Sequence, residues 1–70
     1  MANHVYKILE LTGSSETSMD DAIRNAVRKA AKTIRQMHWF EITDMRGNIG
    51  DSGDIAFWQV TLKIGFTLEE

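Results

Sequence analysis

The stretch Ile55 to Leu68 constrains this chain more than any other. Ala56, Trp58, Val60, Leu62, Ile64, Phe66 and Leu68 alternate with Ile55, Phe57, Gln59, Thr61, Lys63, Gly65 and Thr67. A period of two with one apolar set is the pattern of a β-strand whose single face is buried. At about 3.3 Å per residue the strand outruns the usual five or six residues, so its sheet must curl around whatever covers the apolar face. Gln59 falls on the other face, away from that cover.

The cover is a helix. Ser18 with Asp21 three residues on resembles a capping box with Asp in place of Glu, and Asp20 adds negative charge to the first turn. Ile23, Val27, Ala30, Ile34 and Met37 recur at alternating steps of four and three, Ala22, Ala26 and Ala31 widen the stripe, and no Gly or Pro interrupts. The pattern predicts a helix from about Ser18 to Met37, roughly 30 Å long at 1.5 Å per residue. Its alanines allow close approach to a sheet.

Val5 to Thr12 reads as a first strand ended by the turn signal Gly13-Ser14-Ser15, and Trp39 to Ile49 as a second, joined to the third through Gly50-Asp51-Ser52-Gly53-Asp54. In the first strand Val5, Leu9 and Leu11 share one parity while Tyr6 and Ile8 take the other, so both of its faces call for partial burial. The order β-α-β-β specifies an α+β fold: a three-stranded antiparallel sheet wrapped around one amphipathic helix. It forms a single domain over residues 1–70, with no linker, internal repeat or low-complexity segment.

One helix covers one face of a sheet. Seventy residues without cysteine have neither a disulfide nor a thiolate metal site to staple a small core, which leaves oligomerisation as the staple. The absence of cysteine fits a reducing cytoplasm. Met1-Ala2-Asn3-His4-Val5 carries neither a basic region nor an apolar signal stretch, and no segment approaches about 18 apolar residues, so a cytoplasmic protein rather than a membrane protein is expected. A net charge of -2 argues against a general binder of nucleic acid.

If Phe40 and Ile42 face the helix, Trp39 faces outward onto the side assigned to Gln59. That pair suits a flat heteroaromatic ligand such as a flavin: the indole stacks on the ring, and the amide offers a donor and an acceptor to its hydrogen-bonding edge. The competing reading has Trp39 packing between subunits. Arg46 is suited to phosphate and Asp44 to hydroxyls, as the polar tail of such a ligand requires; an ion pair at the surface or between subunits explains them equally well. Both share the parity of Phe40, so they reach the side of Trp39 only if the strand bulges or twists between Ile42 and Asp44.

Arg24, Arg28, Lys32 and Arg35 line one side of the helix at steps of four, four and three, with Lys29 nearby. No aromatic residue is interleaved with them as a single-strand reader needs, so this side reads as a solvated face. His4, His38 and the acidic pair Glu69-Glu70 form no constellation. There is no Ser-His-Asp set, acid pair, phosphate-cradling glycine loop or metal-ligand spacing, and catalysis is not expected.

Val5-Tyr6-Lys7, Gly13-Ser14-Ser15-Glu16-Thr17-Ser18, Ala22-Ile23, Ala30, Trp39-Phe40-Glu41-Ile42, Arg46-Gly47 and Gln59-Val60-Thr61-Leu62-Lys63-Ile64-Gly65-Phe66 together resemble a bacterial dodecin over essentially the whole chain. The resemblance implies a sheet wrapped around its helix and a homo-oligomer, a hollow dodecamer of cubic symmetry. It implies flavin storage and quenching, with paired isoalloxazines held between tryptophans of two subunits at the position of Trp39. It places a glutamine, matched by Gln59, at the pyrimidine edge. Arg46 matches an arginine near the flavin tail, and Asp44 falls where an acidic residue approaches the ribityl chain. Bacterial members favour FMN, and some also bind coenzyme A. Trp58 stands where tyrosine is common, outside the stacking position.

Overall fold

The computed structural model describes residues 3–68; Met1, Ala2 and the acidic pair Glu69-Glu70 lie outside them. In chain order the elements are β1 (Tyr6–Ser15), α1 (Met19–Ala31), β2 (Met37–Ile49) and β3 (Ile55–Thr67). The sheet runs β1-β3-β2, with both pairings antiparallel. The strand with the cleanest alternation is therefore the central one. It alone has a neighbour on each side, and its face toward the helix supplies the buried residues Val60, Leu62 and Ile64.

Opposite them sit Ala22, Ala26 and Ala30, each one turn from the next and all buried. A ridge of methyl groups keeps the helix low on the sheet, where it packs chiefly on β1 and β3. Leu9, Leu11, Met19, Ile23, Ile34, Met37 and Ile42 close around this centre. The approach is tightest at Gly13: a Cβ there would overlap the carbonyl oxygen of Ala22 and come within 2.8 Å of the Ala26 methyl. Gly13 is thus a packing residue and not a stop signal. β1 continues through Gly13, Ser14 and Ser15, paired with Val60, Gln59 and Trp58, instead of ending at Thr12 as the turn chemistry suggested.

Ser15 ends β1 because its side chain is spent on the start of the helix. The Ser18 hydroxyl accepts from the N–H of Asp21 (3.0 Å), as an N-cap should. Asp21 does not return the bond to Ser18. Its carboxylate accepts from the buried Ser15 hydroxyl (2.7 Å), which in turn accepts the N–H groups of Thr17 (2.9 Å) and Ser18 (3.3 Å). The expected capping box is closed through a third residue.

The helix stops at Ala31, well short of Met37. Lys32 and Thr33 donate to carbonyls three residues back, the tightened geometry of a terminating turn. Gln36 takes a left-handed φ of 61°. That residue is tied to the end of β3: its carbonyl accepts the N–H of Thr67 (3.2 Å) and its Oε1 the Thr67 hydroxyl (2.6 Å). Ile34 and Met37 do pack on the core, but from the connection and from the first residue of β2. Their burial keeps the helical spacing while the backbone has left the helix. Ala31, expected on the buried stripe, is exposed.

The 13 residues of α1 span about 20 Å, whereas β2 and β3, also 13 residues each, reach about 43 Å. The chain accordingly measures 56 × 20 × 13 Å. Val60, Leu62 and Ile64 lie under the helix, while Met45, Ile49 and Ile55 on the far arm of the hairpin remain exposed.

Two substitutions test this account. Ser18→Ala is expected to lower stability by about 1 kcal/mol, the usual loss for an N-cap. Gly13→Val should lower it by more, because the branched side chain must lift the helix from the sheet. Thermal and denaturant unfolding measure both, and a Gly13→Val protein as stable as the parent would refute the close approach.

Candidate functional site

The face of the sheet turned away from α1 is assigned by register. Along β3 the outward residues are Phe57, Gln59, Thr61, Lys63, Gly65 and Thr67, opposite in parity to the buried Val60, Leu62 and Ile64. Trp39 pairs with Gly65 and so faces outward, while Phe40 and Ile42, paired with Ile64 and Leu62, face the helix. Trp39 and Gln59 share the outer face, as their parities required.

Asp44 and Arg46 join them because β2 is irregular. The ladder shifts between Ile42 and Asp44: Thr43 has no Cα partner, Asp44 pairs with Thr61 and Arg46 with Gln59. One extra residue reverses the parity of everything after it. The Thr43 hydroxyl lies 3.2 Å from the Thr61 carbonyl oxygen on the adjacent β3 and 3.3 Å from the carboxylate of Glu10 on β1, one strand further across, anchoring the bulge to the sheet. A second shift, between Met37 and Trp39, leaves His38 as the extra residue beside the tryptophan.

The indole of Trp39 rests on Gly65. Three atoms of its six-membered ring, Cε2, Cζ2 and Cη2, crowd the place a Gly65 Cβ would occupy, so the ring lies with one face against the strand. The residue is nonetheless 42% exposed, leaving π surface open. Tyr6 meets the indole edge-on, with ring centroids 5.0 Å apart, and Tyr6 also stands perpendicular to the His38 ring at 5.9 Å. His38 Nε2 is 3.3 Å from the Thr67 hydroxyl. That hydroxyl gives its proton to Gln36, so it can only accept from His38, which holds the imidazole with its proton on Nε2. Sequence reasoning found Trp39 but missed Gly65 as its floor. The signal was present: a glycine inside a perfectly alternating strand marks a close approach.

Gln59, Arg46 and Asp44 form a separate polar group. The Arg46 Nε–H donates to Gln59 Oε1 at 2.9 Å, and Nη1 lies 3.5 Å from Asp44 Oδ2. With side chains 60% and 54% exposed, the Arg46–Asp44 pair holds a geometry more than it adds stability.

The two groups do not meet within one chain. Trp39 is opposite Gly65 and Arg46 opposite Gln59, a separation of six residues along β3, or about 20 Å. No three-ring heterocycle spans that distance. A planar ligand that touches both an indole and a Gln59 amide must take them from different copies of the chain.

Elsewhere the surface offers less. A concavity lined by Ser14, Ser15, Glu16, Thr17, Asp21, Asn25 and Phe57 is built from groups bonded to one another, Asn25 Nδ2 donating to the Ser14 carbonyl at 3.0 Å. Among the described residues no three His, Asp or Glu side chains are grouped to hold a metal ion, and no helix is long and apolar enough to cross a membrane.

Comparison with known proteins agrees with this geometry. Residues 5–69 match the family model described as Dodecin. The dodecin of Thermus thermophilus is 47% identical over 66 residues, covering 94% of each chain. Among solved structures, the dodecin from Streptomyces coelicolor superposes with a TM-score of 0.93 at 51% identity, over 100% of this chain and 99% of that one. The dodecin from Streptomyces davaonensis does so with 0.93 at 43% identity, over 99% and 100%.

Gly65→Ala tests the posture of the indole. The chain has two tryptophans, so the experiment is read in a Trp58→Phe background, where Trp39 is the sole indole. A methyl at position 65 should push the ring off the strand, changing the near-ultraviolet circular dichroism and shifting the emission. Spectra superimposable on those of the Gly65 protein would show that the ring does not rest there.

Proposed function

The chain belongs to the dodecin family, and on that premise we propose that it is a homo-oligomer that binds and stores flavin, FMN or riboflavin, and quenches its photochemistry. The observation that carries this reading is the Trp39 ring, seated on Gly65 with π surface exposed. An indole held flat on a rigid strand is already in the posture that stacking requires, so little side-chain freedom remains to be lost on binding.

The residues fit a flavin. Trp39 covers a face of the isoalloxazine, and Gln59 meets its pyrimidine edge with an amide donor and acceptor. Asp44 and Arg46 add hydroxyl-seeking and anion-seeking groups beside Gln59. Because the indole and the amide stand about 20 Å apart in one chain, the site is shared between subunits. That requirement, the half-open Tyr6 and Ile8 beside Trp39 and the uncovered arm of the hairpin all support an assembly, and a dodecamer is the form we assign to it.

The bound flavin supplies the light-absorbing, electron-accepting ring. Trp39, in contact with such a ring, would be the electron donor that quenches its excited state. This needs contact but no acid or base. The protein is a buffer in the cytoplasm and not a reductase. One aromatic contact is worth only about 0.5–1.5 kcal/mol beyond the area it buries, so tight holding comes from enclosure between subunits and from several contacts together.

Titration of FMN and riboflavin, followed by flavin fluorescence, tests the reading. The assembled protein should quench both to saturation. Trp39→Ala is expected to lose about tenfold or more in affinity, the scale set by an aromatic contact and its buried area, and to lose the quenching. Gln59→Ala should weaken binding while each bound flavin stays dark. Full quenching by Trp39→Ala at saturating flavin would eliminate the electron-donor role. Unchanged fluorescence with assembled protein would leave a structural shell in which Trp39 packs subunits; coenzyme A added as competitor shows whether it shares the site.

A further inference from the structure

We propose that Arg46 is a positioning residue that acts through Gln59: it fixes which way the Gln59 amide faces, and it does not serve chiefly to neutralise a phosphate. The inference rests on the flavin reading of this site and assigns a division of labour within it.

The contact is dictated by the backbone. Arg46 and Gln59 stand directly opposite each other in the β2–β3 ladder, and they share the outer face only because Thr43 is bulged out upstream. The guanidinium is then held at two points, its Nε–H on Gln59 Oε1 and its Nη1 beside Asp44 Oδ2, two residues earlier on the same face. Asp44 thus orients the fork, and the fork orients the amide.

A glutamine amide has two orientations that differ by exchange of its oxygen and its NH2 group. A guanidinium has donors and no acceptor, so it can bond only to the oxygen. Arg46 therefore selects one of the two. With Oε1 engaged on one side, the Nε2 hydrogens and the remaining lone pair of Oε1 are presented in a fixed order. An imide edge, with a carbonyl beside an N–H, is read correctly by that order and incorrectly by its reverse.

Place separates this role from phosphate binding. A group 2.9 Å from the amide that holds the pyrimidine edge stands at the ring, whereas the phosphate of FMN lies at the end of a five-carbon chain. Loss of Arg46 should consequently penalise a flavin that has no phosphate as severely as one that has it.

The experiment titrates FMN and riboflavin into the assembled protein and into Arg46→Ala, Arg46→Lys, Gln59→Ala and the Arg46→Ala/Gln59→Ala double variant. Arg46→Ala should weaken both ligands by a similar factor, about 3- to 10-fold, the scale of one net hydrogen bond. Arg46→Lys should not restore either, because an ammonium keeps the charge but lacks the planar fork. The double variant should bind no more weakly than Gln59→Ala alone, since the two residues act as one unit. A loss confined to FMN and rescued by Lys overturns the proposal in favour of a phosphate contact. Additive losses in the double variant overturn it as well. Parent protein that binds neither flavin refutes the flavin reading itself and this inference with it, and that result is seen before any variant is made.

Discussion

The rest of the molecule depends on how low the helix lies on the sheet. Ala22, Ala26 and Ala30 present a ridge of methyl groups to Val60, Leu62 and Ile64, and Gly13 removes the one side chain that would prop them apart. Larger residues on that ridge would fill more volume but raise the helix. With small ones, a single 13-residue helix commits the inner face of the sheet to burial and leaves its outer face as a broad surface for other work. The parity of every strand residue follows from that commitment.

Upon that frame, two bulges in β2 decide what the outer face contains. The first sets His38 beside Trp39; the second, at Thr43, brings Asp44 and Arg46 around to the side of Gln59. Each costs a regular ladder position and returns a side chain re-aimed by half a turn of the strand. The result is an aromatic group at one end of β3 and a polar group at the other, about 20 Å apart. Neither is a complete site for a planar ligand. On the proposed flavin reading, a chain built this way would draw its site from more than one copy, and its uncovered hairpin arm favours assembly as well.

The exposed groups also differ in what holds them. Trp39 is pinned by contact with backbone at Gly65 and by the edge of Tyr6, so its posture belongs to the fold. Gln59 and Arg46 are held by a hydrogen bond between two surface side chains and by a weak ion pair. In the proposed flavin site, a rigid stacking platform and an amide set by a polar partner would be two routes to the same end, organisation before a ligand arrives.

Much of this could be read from the sequence. Alternation over Ile55 to Leu68 located the central strand and the side of Gln59; the capping residues and alanine spacing located the helix; the parity of Phe40 and Ile42 turned Trp39 outward. These are local properties, because side-chain direction repeats with the period of the element. What the periodicity could not show was where the helix ends, since Ile34 and Met37 are partly buried at helical spacing yet lie on a connection and a strand tied down through Gln36 and Thr67. Nor could it read Gly13 and Gly65 as close approaches, which depend on what arrives from elsewhere in the chain. The sequence by itself determined the order of elements, their inner faces and the residue types of the site. Only the tertiary structure decided the register of β2 against β3, because a bulge is settled by pairing with a distant strand, and with it the company that Gln59 keeps and its distance from Trp39.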